Sequence, residues 1–323
     1  MENINSPIFK DEAKARQHLE AQRWANGRYC PHCGEADETK TPLVGGKKHR
    51  PGLYYCNSCK ATFTVTVDTV LERSKVPLTK WLLAFYFLSS SKKGMSAHQL
   101  HRTIGVTYKT AWFMWHRIRE AMAPAKGLQE PMGGAGKVVE ADETYFGETK
   151  HKRTVSVDGR VKYKVKGCGP ANKRAVIALV ERGGSACTFH VAHTTFAKVE
   201  EIVSQNIHRE SRLYTDESRL YSVSKVPTMV AEHETVKHSA DEYVRGDVYS
   251  NSAENYFSVF KRCMRGVYQH CSEKHLHRYL AEFDFRYSNR SKLGVEDTER
   301  ANLALQGITG KRLTYRRTSE ALL

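Results

Sequence analysis

Apolar positions recur along the chain with two different periods. Between residues 77 and 123 they return every three or four positions, which predicts helices. After the glycine-rich joint PMGGAGK, residues 131–137, short apolar runs bounded by glycine and charged residues predict strands. The pattern therefore predicts a helical part followed by an α/β part.

Four helices are predicted in the first part. Residues 10–25 form the first, and three more follow as PLTKWLLAFYFLSSSKK, MSAHQLHRTIG and TYKTAWFMWHRIREAM. Gly105 ends the middle one of these three, and the Thr107 side chain can cap the next. A short helix, a tight turn and a longer helix form a helix-turn-helix pattern, and a plain helical bundle fits the same spacing.

The longest of these helices has two kinds of face. Its apolar residues follow a 3-3-4 spacing and are expected in the core; they are Trp112, Trp115, Ile118 and Met122. In a helix-turn-helix, the remaining side chains would face DNA. The candidates are Lys109 and Arg117, with Tyr108 and His116 beside them.

After residue 137 the chain follows an α/β rhythm. The runs KVVEADETYFG, RAVIALVERGG and SACTFHVAH predict three strands, TTFAKVEEIVSQNI predicts a helix, and SRLYTDES predicts a further strand. Residues 147–174 separate the first two strands and hold nine Lys or Arg against two acids. This basic insertion fits a solvated loop, and in a basic protein it also fits an arm that faces DNA through Lys162 and Lys164.

The composition favours a nucleic-acid binder. Lys and Arg outnumber Asp and Glu by 51 to 35 among 323 residues, which gives a net charge of +16 and a pI near 9.4. The longest apolar run, WLLAFYFL, has eight residues, whereas a membrane-spanning helix needs about 20. The N-terminal residues carry no basic segment followed by an apolar one. We therefore expect a cytoplasmic, nucleoid-associated protein with no membrane partner.

Four of the eight cysteines form two CxxC pairs. Cys30 and Cys33 make the first pair and Cys56 and Cys59 the second, with 22 residues between them, slightly more than the usual window of about 15 to 20. Four thiolates suit tetrahedral zinc and leave no open position, so one structural zinc ion is expected. Two reduced thiol pairs or a redox motif are the alternative, and the scarcity of apolar residues between the pairs favours metal.

Three acids in the second part are candidates for a catalytic site. Asp142 ends the run VVEAD and Asp216 ends LYTD, and acids at the carboxyl ends of strands lie where α/β sheets place ligand sites. Each of them alone could equally cap a turn. Glu254 belongs to a predicted helix, NSAENYFSVFKRC, residues 251–263.

That helix carries two stripes of side chains. Its buried stripe is predicted to be Ala253, Phe257, Phe260 and Met264, which lie within about 60° of one another at 100° per residue. A second stripe, rotated by about 100°, contains Glu254, Ser258, Lys261 and Arg265. The second stripe fits a surface ion pair, or an acid that holds a divalent cation next to bases that bind DNA phosphates. Hard carboxylate oxygens suit Mg²⁺ or Mn²⁺.

The order Asp142, Asp216, Glu254, with Lys261 seven residues after the glutamate, resembles the DDE transposases. In particular the chain is similar to bacterial insertion-sequence transposases of the ISXO-type group, relatives of the Merlin superfamily. The similar segments run from about residue 12 to 290 and include RWANGRYCPHCG, YYCNSCKATFTV, DETYFG, YTDES, YVRGDVYSNSAENYFSVFKRCMRGVYQH and EKHLHRYLAEFDFRYSNR. The resemblance implies an α/β, ribonuclease-H-like catalytic domain preceded by a zinc ribbon and a small helix-turn-helix-like domain.

The resemblance also implies a reaction. The three acids would hold two Mg²⁺ or Mn²⁺ ions, cleavage at the element's end would free a 3′-hydroxyl, and that hydroxyl would attack target DNA. Lys261 and Arg265 would bind DNA near the site, and the partner would be the double-stranded DNA of transposon ends and target. Two ends must meet, which implies a homo-oligomer. A non-cleaving DNA-binding regulator and a structure-selective nuclease are the other two hypotheses.

The expected organisation has four segments. Residues 1–72 hold the first helix and the zinc ribbon, and residues 73–130 form the helix-turn-helix-like DNA-binding domain. Residues 131–290 form the catalytic domain with the insertion at 147–174, and residues 291–323 form a basic tail.

Overall fold

The computed structural model describes residues 4–46, 48–124, 130–147, 154–155, 158–159, 161–162, 173–222, 224–236 and 248–314. The chain divides into two compact units, one made of residues 1–125 with 289–323 and the other of residues 126–288. Within the described ranges, no helix combines the length and apolar character needed to cross a membrane.

The predicted helices of the first unit are present. They are α1 (Glu12–Arg23), α2 (Leu78–Ser90), α3 (Ala97–Ile104) and α4 (Tyr108–Met122). Gly105 ends α3 in the left-handed conformation, with φ of 62°, which glycine adopts at little cost. The Thr107 side chain caps α4 by accepting the N–H of Thr110. The prediction of a short helix, a tight turn and a longer helix is therefore confirmed.

A small aromatic core lies beside the cysteine pairs in the same unit. Strands β1 (Tyr54–Tyr55) and β2 (Thr62–Phe63) pair antiparallel. The rings of Tyr54 and Phe63 stack with centroids 5.5 Å apart, and Trp24 meets Tyr54 edge-on at 5.3 Å. So few apolar residues need a further cross-link to hold the ribbon together.

A C-terminal helix completes the first unit. Helix α9 (Asp297–Gln306) packs against α1, α2 and α4 through the buried residues Ala301, Ala304 and Leu305. The buried guanidinium of Arg300 donates to the carbonyls of Ser89 and Val295, at 3.0 and 2.7 Å. The basic tail expected from residue 291 therefore contains a packed helix, because the apolar positions around Arg300 form a buried face.

The second unit is built on a five-stranded sheet. Its strands are β3 (Val138–Phe146), β6 (Arg174–Glu181), β7 (Ala186–Val191), β8 (Arg212–Asp216) and β9 (Glu232–Val236), in the order β7-β6-β3-β8-β9. The first three pair antiparallel, whereas β8 and β9 run parallel to β3. This is the ribonuclease-H-like arrangement that was expected. Inside the basic insertion, β4 (Thr154–Val155) and β5 (Val161–Lys162) pair as a short hairpin that was not predicted.

Helices cover both faces of this sheet. They are α5 (Phe196–Asn206), α6 (Arg219–Ser222), α7 (Asn251–Cys263) and α8 (Leu276–Ser288). Val139 and Ala141 of β3 share a core with α5. On the other face, Ala253, Phe257 and Phe260 of α7 and Met264 of the π-helical turn after it are buried in a core with Val176, Ala178 and Val180 of β6. The predicted buried stripe of α7 is confirmed.

Candidate active site

The register of two strands brings Asp142 and Asp216 together. Strands β3 and β8 are parallel, and their last paired residues are Ala141 and Thr215. The next residue on each strand is an aspartate. Neighbouring strands lie about 4.8 Å apart, and residues at matched positions point to the same face. The two carboxyl groups are therefore side by side on the face covered by α7.

The two aspartates differ in their place along the strand. Asp216 is the last residue of β8, as the sequence predicted. Asp142 lies in the middle of β3 and not at its end, so that part of the prediction is wrong. The reason is the antiparallel partner, because β6 pairs with β3 as far as Phe146. The site lies at the end of the parallel ladder.

Glu254 lies across a cleft from Asp142. It is exposed in the first turn of α7, and the Ser250 hydroxyl donates to its Oε1 at 3.4 Å. The cleft has a volume of about 430 Å³, and both Asp142 and Glu254 line it. Asp216 does not line this cleft. It lies beside Asp142 on the neighbouring strand β8.

The carboxyl group of Asp142 is strongly perturbed. Burial, and then the negative charges around it, raise its pKa to about 7. Those charges belong to Asp216, Glu143 and Glu254. The other two predicted acids, Asp216 and Glu254, therefore both act electrostatically on Asp142, and a cation at this place would relieve that repulsion.

Glu143 is a fourth acid at the site and was missed by sequence reasoning. Its Oε1 accepts from the Ser218 hydroxyl at 3.2 Å, and the backbone N–H of Ser218 donates to Asp216 Oδ1 at 3.0 Å. Burial, and then the charge of Asp216, raise the pKa of Glu143. The adjacent acids in ADETYF were the available signal. Glu143 thus helps to hold the turn that follows Asp216.

Basic side chains of α7 and the turn after it line the same cleft. Lys261, Arg262 and Arg265 all contribute to its wall. The Lys261 ammonium lies 6.0 Å from the centre of the Phe257 ring. Arg262 was not predicted, although its spacing of eight residues from Glu254 places it on a neighbouring stripe of the helix. The acids and the bases therefore share one opening.

The two candidates on α4 have different environments. Lys109 is exposed in the first turn, where it stays a predicted DNA contact. Arg117 is only 9% exposed and donates to the carbonyl of Glu72 at 3.1 Å, so the prediction that it faces DNA is wrong. Burial, and then the charge of Arg312, lower its pKa. The C-terminal segment lies against this face of α4, which sequence periodicity could not reveal.

The structure describes no side chain of the two candidates in the basic insertion. The backbone of Lys162 belongs to β5, but nothing of its side chain is described, and Lys164 lies outside the described residues. Their predicted role as DNA contacts stays a prediction.

The four cysteines form a compact thiol cluster. Cys30 Sγ lies 3.7 Å from Cys59 Sγ, and Cys33 Sγ lies 3.6 Å from Cys56 Sγ. All four sulfur atoms lie within 4.8 Å of one another. Zinc–sulfur bonds of about 2.3 Å would separate tetrahedral sulfur atoms by about 3.8 Å. The thiols therefore fit a tetrahedral zinc ion.

The local chain explains how each pair is presented. The residues after the second cysteine of each pair, Gly34 and Lys60, have left-handed φ values of 78° and 61°. These turns direct backbone N–H groups at the sulfur atoms. The N–H of Cys59 in particular lowers the pKa of Cys56 to about 7. A thiol that ionises near neutral pH is a ready metal ligand.

The carboxylates fit a different kind of ion. Asp142, Asp216 and Glu254 offer hard oxygen donors, which suit Mg²⁺ or Mn²⁺. These carboxylates are spread more widely than the thiols. Among the His, Cys, Asp and Glu side chains in the described ranges, the four cysteines are the only group of three or more whose donor atoms all lie within 4.8 Å of one another. The donor chemistry and the raised pKa of Asp142 fit divalent cations.

Comparisons with known proteins agree with this description. Residues 133–288 match the family described as ISXO2-like transposase domain, and residues 10–62 match the transposase zinc-ribbon domain. A Halobacterium salinarum protein (strain ATCC 700922 / JCM 11081 / NRC-1), described as an uncharacterized protein in transposable element ISH50, is 30% identical over 302 residues. That similarity covers 89% of this chain and 95% of the Halobacterium protein.

Solved structures give weaker similarities. A chain of the simian T-cell lymphotropic virus intasome in complex with PP2A regulatory subunit B56 gamma is 15% identical, with a TM-score of 0.28; 57% of this chain and 63% of that chain are covered. The Mos1 mariner paired-end complex with Mn is 12% identical, with a TM-score of 0.22 and coverage of 62% and 74%. The fold assignment rests on the strand order and the family matches. From its extended similarity to the ISH50 protein and its two matched domains, the chain belongs to the ISXO2-like transposases.

Proposed function

We propose that this transposase binds the terminal inverted repeats of an insertion sequence and catalyses metal-dependent DNA cleavage and strand transfer. One observation carries the proposal. The register of β3 and β8 places Asp142 level with Asp216, one residue beyond the last pair, and α7 brings Glu254 and basic side chains to the cleft that Asp142 lines. A phosphodiester would be repelled by the acids alone, so the arrangement is productive only with cations.

The three acids would hold two divalent ions. When bound, such ions supply Lewis acidity that activates an attacking water or 3′-hydroxyl and stabilises the leaving oxygen. Asp142 and Asp216 would hold ions from the sheet, and Glu254 would do so from the first turn of α7. The raised pKa of Asp142 supports this role, because a bound cation would offset both causes of the shift, the burial of the carboxylate and the repulsion from its neighbours.

The bases beside the acids would bind the DNA backbone. Lys261 and Arg265 were proposed from the sequence, and Arg262 joins them because it lines the same cleft. Contacts to phosphates fix the position of a duplex without reading its sequence. The side chains would thereby align the scissile phosphate with the acids. The net charge of +16 supports a DNA partner in general terms.

The first unit would supply further DNA contacts. One structural zinc ion held by the four cysteines would stabilise the ribbon, since a closed shell of thiolates leaves no position for catalysis. Lys109, exposed at the start of α4, would contact DNA as part of the helix-turn-helix-like element. Cleavage and joining of two element ends would require a homo-oligomer on paired ends.

The proposal is tested with labelled duplexes that carry the flanking inverted repeats, Mn²⁺ and a plasmid target. The wild-type protein should nick the end and join it to the plasmid. Asp142→Asn, Asp216→Asn and Glu254→Gln should each reduce both steps by more than about 100-fold. That is the largest loss typical of changes to groups outside the first ligand shell, and loss of a direct ligand should exceed it. DNA binding should stay nearly intact. Glu201→Gln, an exposed acid on α5, serves as the control and should keep full activity.

Other outcomes separate the alternative hypotheses. Nicking without joining would indicate a structure-selective nuclease on this fold. Binding without nicking would indicate a DNA-binding regulator. Undiminished Mn²⁺-dependent cleavage by Asp142→Asn would show that the chemistry takes place elsewhere.

A further inference from the structure

The first backbone N–H groups of α7 are satisfied by a side chain from the sheet. Glu140 of β3 accepts the N–H of Ser252 at 2.7 Å and that of Ala253 at 3.1 Å. It also accepts the Ser252 hydroxyl at 3.1 Å. The N-terminus of a helix carries unpaired N–H groups and a partial positive charge, so a carboxylate there is stabilising. Glu140 thus acts as the cap of a helix that belongs to another part of the sequence.

Arg182 compensates the negative charge of the buried Glu140 carboxylate. The side chain of Glu140 is fully buried, and a buried charge is costly unless it is paired and hydrogen-bonded. Arg182 Nε donates to Glu140 Oε1 at 2.7 Å, and its NH2 group donates to the carbonyl of Tyr249 at 2.7 Å. The guanidinium also lies 3.5 Å from the centre of the Tyr249 ring. Arg182 therefore ties the chain just before α7 to the same carboxylate.

This arrangement is directly connected to the candidate active site. Glu140 and Asp142 lie two residues apart on the same face of β3, about 7 Å along the strand. Glu254 follows Ala253, whose N–H is bonded to Glu140. One strand therefore carries the first acid of the site and fixes the start of the helix that carries the third.

We propose that Glu140 and Arg182 are positioning residues, which hold the N-terminus of α7 on β3 so that Glu254 faces Asp142 across the cleft. The inference rests on the proposed function, because the separation of the two acids matters only if both hold divalent ions. Without this anchor, α7 would keep its apolar packing on β6, but its first turn would no longer be fixed. The expected defect is therefore weaker binding of metal rather than loss of the fold.

The test measures Mn²⁺ binding to the zinc-loaded, full-length protein by calorimetry, with melting temperature as a second readout. Glu140→Gln keeps the size of the side chain but removes its charge and two of its acceptor lone pairs. It should raise the dissociation constant for Mn²⁺ about tenfold or more, the range found when partners outside the first ligand shell are changed. Arg182→Lys keeps the positive charge but cannot reach both Glu140 and Tyr249, and should shift the constant in the same direction.

Glu282→Gln is the matched control. Glu282 is equally buried in the same unit and pairs with Arg286 at 3.0 Å, but it lies on α8 and not at the start of α7. Its substitution should lower the melting temperature while leaving the Mn²⁺ dissociation constant within about twofold of wild type. A purely structural role for Glu140 predicts the same behaviour for both glutamine variants.

End cleavage gives an independent measurement. With Glu140→Gln, the Mn²⁺ concentration for half-maximal cleavage should rise, and most of the maximal rate should return at high Mn²⁺. The cleavage activity of Asp142→Asn should not recover at any Mn²⁺ concentration, because this variant loses one of the metal-binding carboxylates itself.

These experiments distinguish failure of the positioning role from failure of the proposed function. Equal Mn²⁺ affinity in Glu140→Gln and Glu282→Gln would overturn the positioning role. If Glu140→Gln does not fold, a folded Arg182→Lys with wild-type affinity would overturn it instead. A wild-type protein that binds Mn²⁺ without cleaving DNA contradicts the proposed function alone, and one that binds no Mn²⁺ overturns both.

Discussion

Burial and like charge act together on the carboxyl group of Asp142. Burial, and then the charges of Asp216, Glu143 and Glu254, make its ionised form unfavourable, so its pKa rises to about 7. The hydrogen bond from the Glu143 N–H to Asp142 Oδ1, at 2.7 Å, lowers the pKa but does not outweigh them. An acid perturbed by specific neighbours in a cleft is characteristic of a functional site.

Asp284, a half-buried acid on α8 whose pKa is also raised, is expected to make stability depend on pH. It accepts from the Tyr256 hydroxyl at 2.6 Å and from the Thr188 N–H at 3.0 Å, yet burial raises its pKa to about 7. The folded protein therefore binds this proton more tightly than the unfolded chain, where the pKa is about 3.9. Its stabilising contribution is complete below about pH 4 and is lost as the pH rises through 7, by up to about 1.4 kcal/mol per unit.

The measurement is urea unfolding of wild type and Asp284→Asn between pH 4 and 8. The variant lacks this titration, so the difference between the two free energies of unfolding should be largest at pH 4 and shrink toward pH 7. The other titratable groups are the same in both proteins, so their contributions to the two free energies of unfolding cancel in the difference. Glu201→Gln, which changes an exposed acid, should give a curve parallel to wild type. A constant difference for Asp284→Asn would contradict the prediction.

The role of a single residue could be predicted only where it followed from the order and spacing of residues along the chain. Asp142, Asp216 and Glu254 followed from their order and spacing together with the family resemblance. Glu140 and Glu143 flank Asp142 in the same strand, but their roles depend on contacts with Ser252 and Ser218. Those partners lie more than 70 residues away in the chain. Periodicity places Glu140 on the face of Asp142, and tertiary structure alone identifies its partners.

At the scale of elements, the zinc ribbon is expected to depend on its metal. Replacement of both Cys56 and Cys59 by Ser should reduce the bound zinc from one ion to none and unfold residues 28–65, because metal binding supplies folding free energy in such small modules. Metal analysis and hydrogen exchange measure the two effects. The second unit should keep its melting transition.

The control for this prediction is another buried thiol. Cys263 lies in the core between α7 and the sheet, outside the cysteine cluster. Cys263→Ser should retain one zinc ion per chain. Zinc retained by the Cys56 and Cys59 double variant, with a protected ribbon, would rule out the four-thiol site.

Elements were predictable where their periodicity was strong. The helices α2, α3 and α4 and the strands β3, β6 and β7 follow from repeating apolar positions and clear end signals. Strand β9 was missed because Glu232–Val236 reads EHETV, and only its last residue is buried. The wrong assignment of Arg117 has a similar cause, because the segment that covers it comes from almost 200 residues later in the sequence.

At the scale of the whole molecule, the first unit is discontinuous in sequence. The chain leaves it at residue 125 and returns at 289 with α9. The returning segment is bound along its length: Thr309 bridges to Thr69, and Lys311 donates to the carbonyls of Ala121 and Ala123. The second unit is therefore inserted within the first, and the stability of the first should depend on both of its pieces.

This dependence predicts that residues 1–125 alone are destabilised and are rescued by a peptide of residues 289–314. Helix α9 buries Leu305 and the adjoining Ile308, and each buried side chain of this size contributes about 1.5–3 kcal/mol. Added peptide should raise the melting temperature of zinc-loaded 1–125 with increasing concentration, as expected for a ligand of the folded state. A peptide with Ala304→Asp, which puts a charge at a fully buried position, should have no such effect. Equal melting temperatures with and without the wild-type peptide would mean that the first unit folds from residues 1–125 alone.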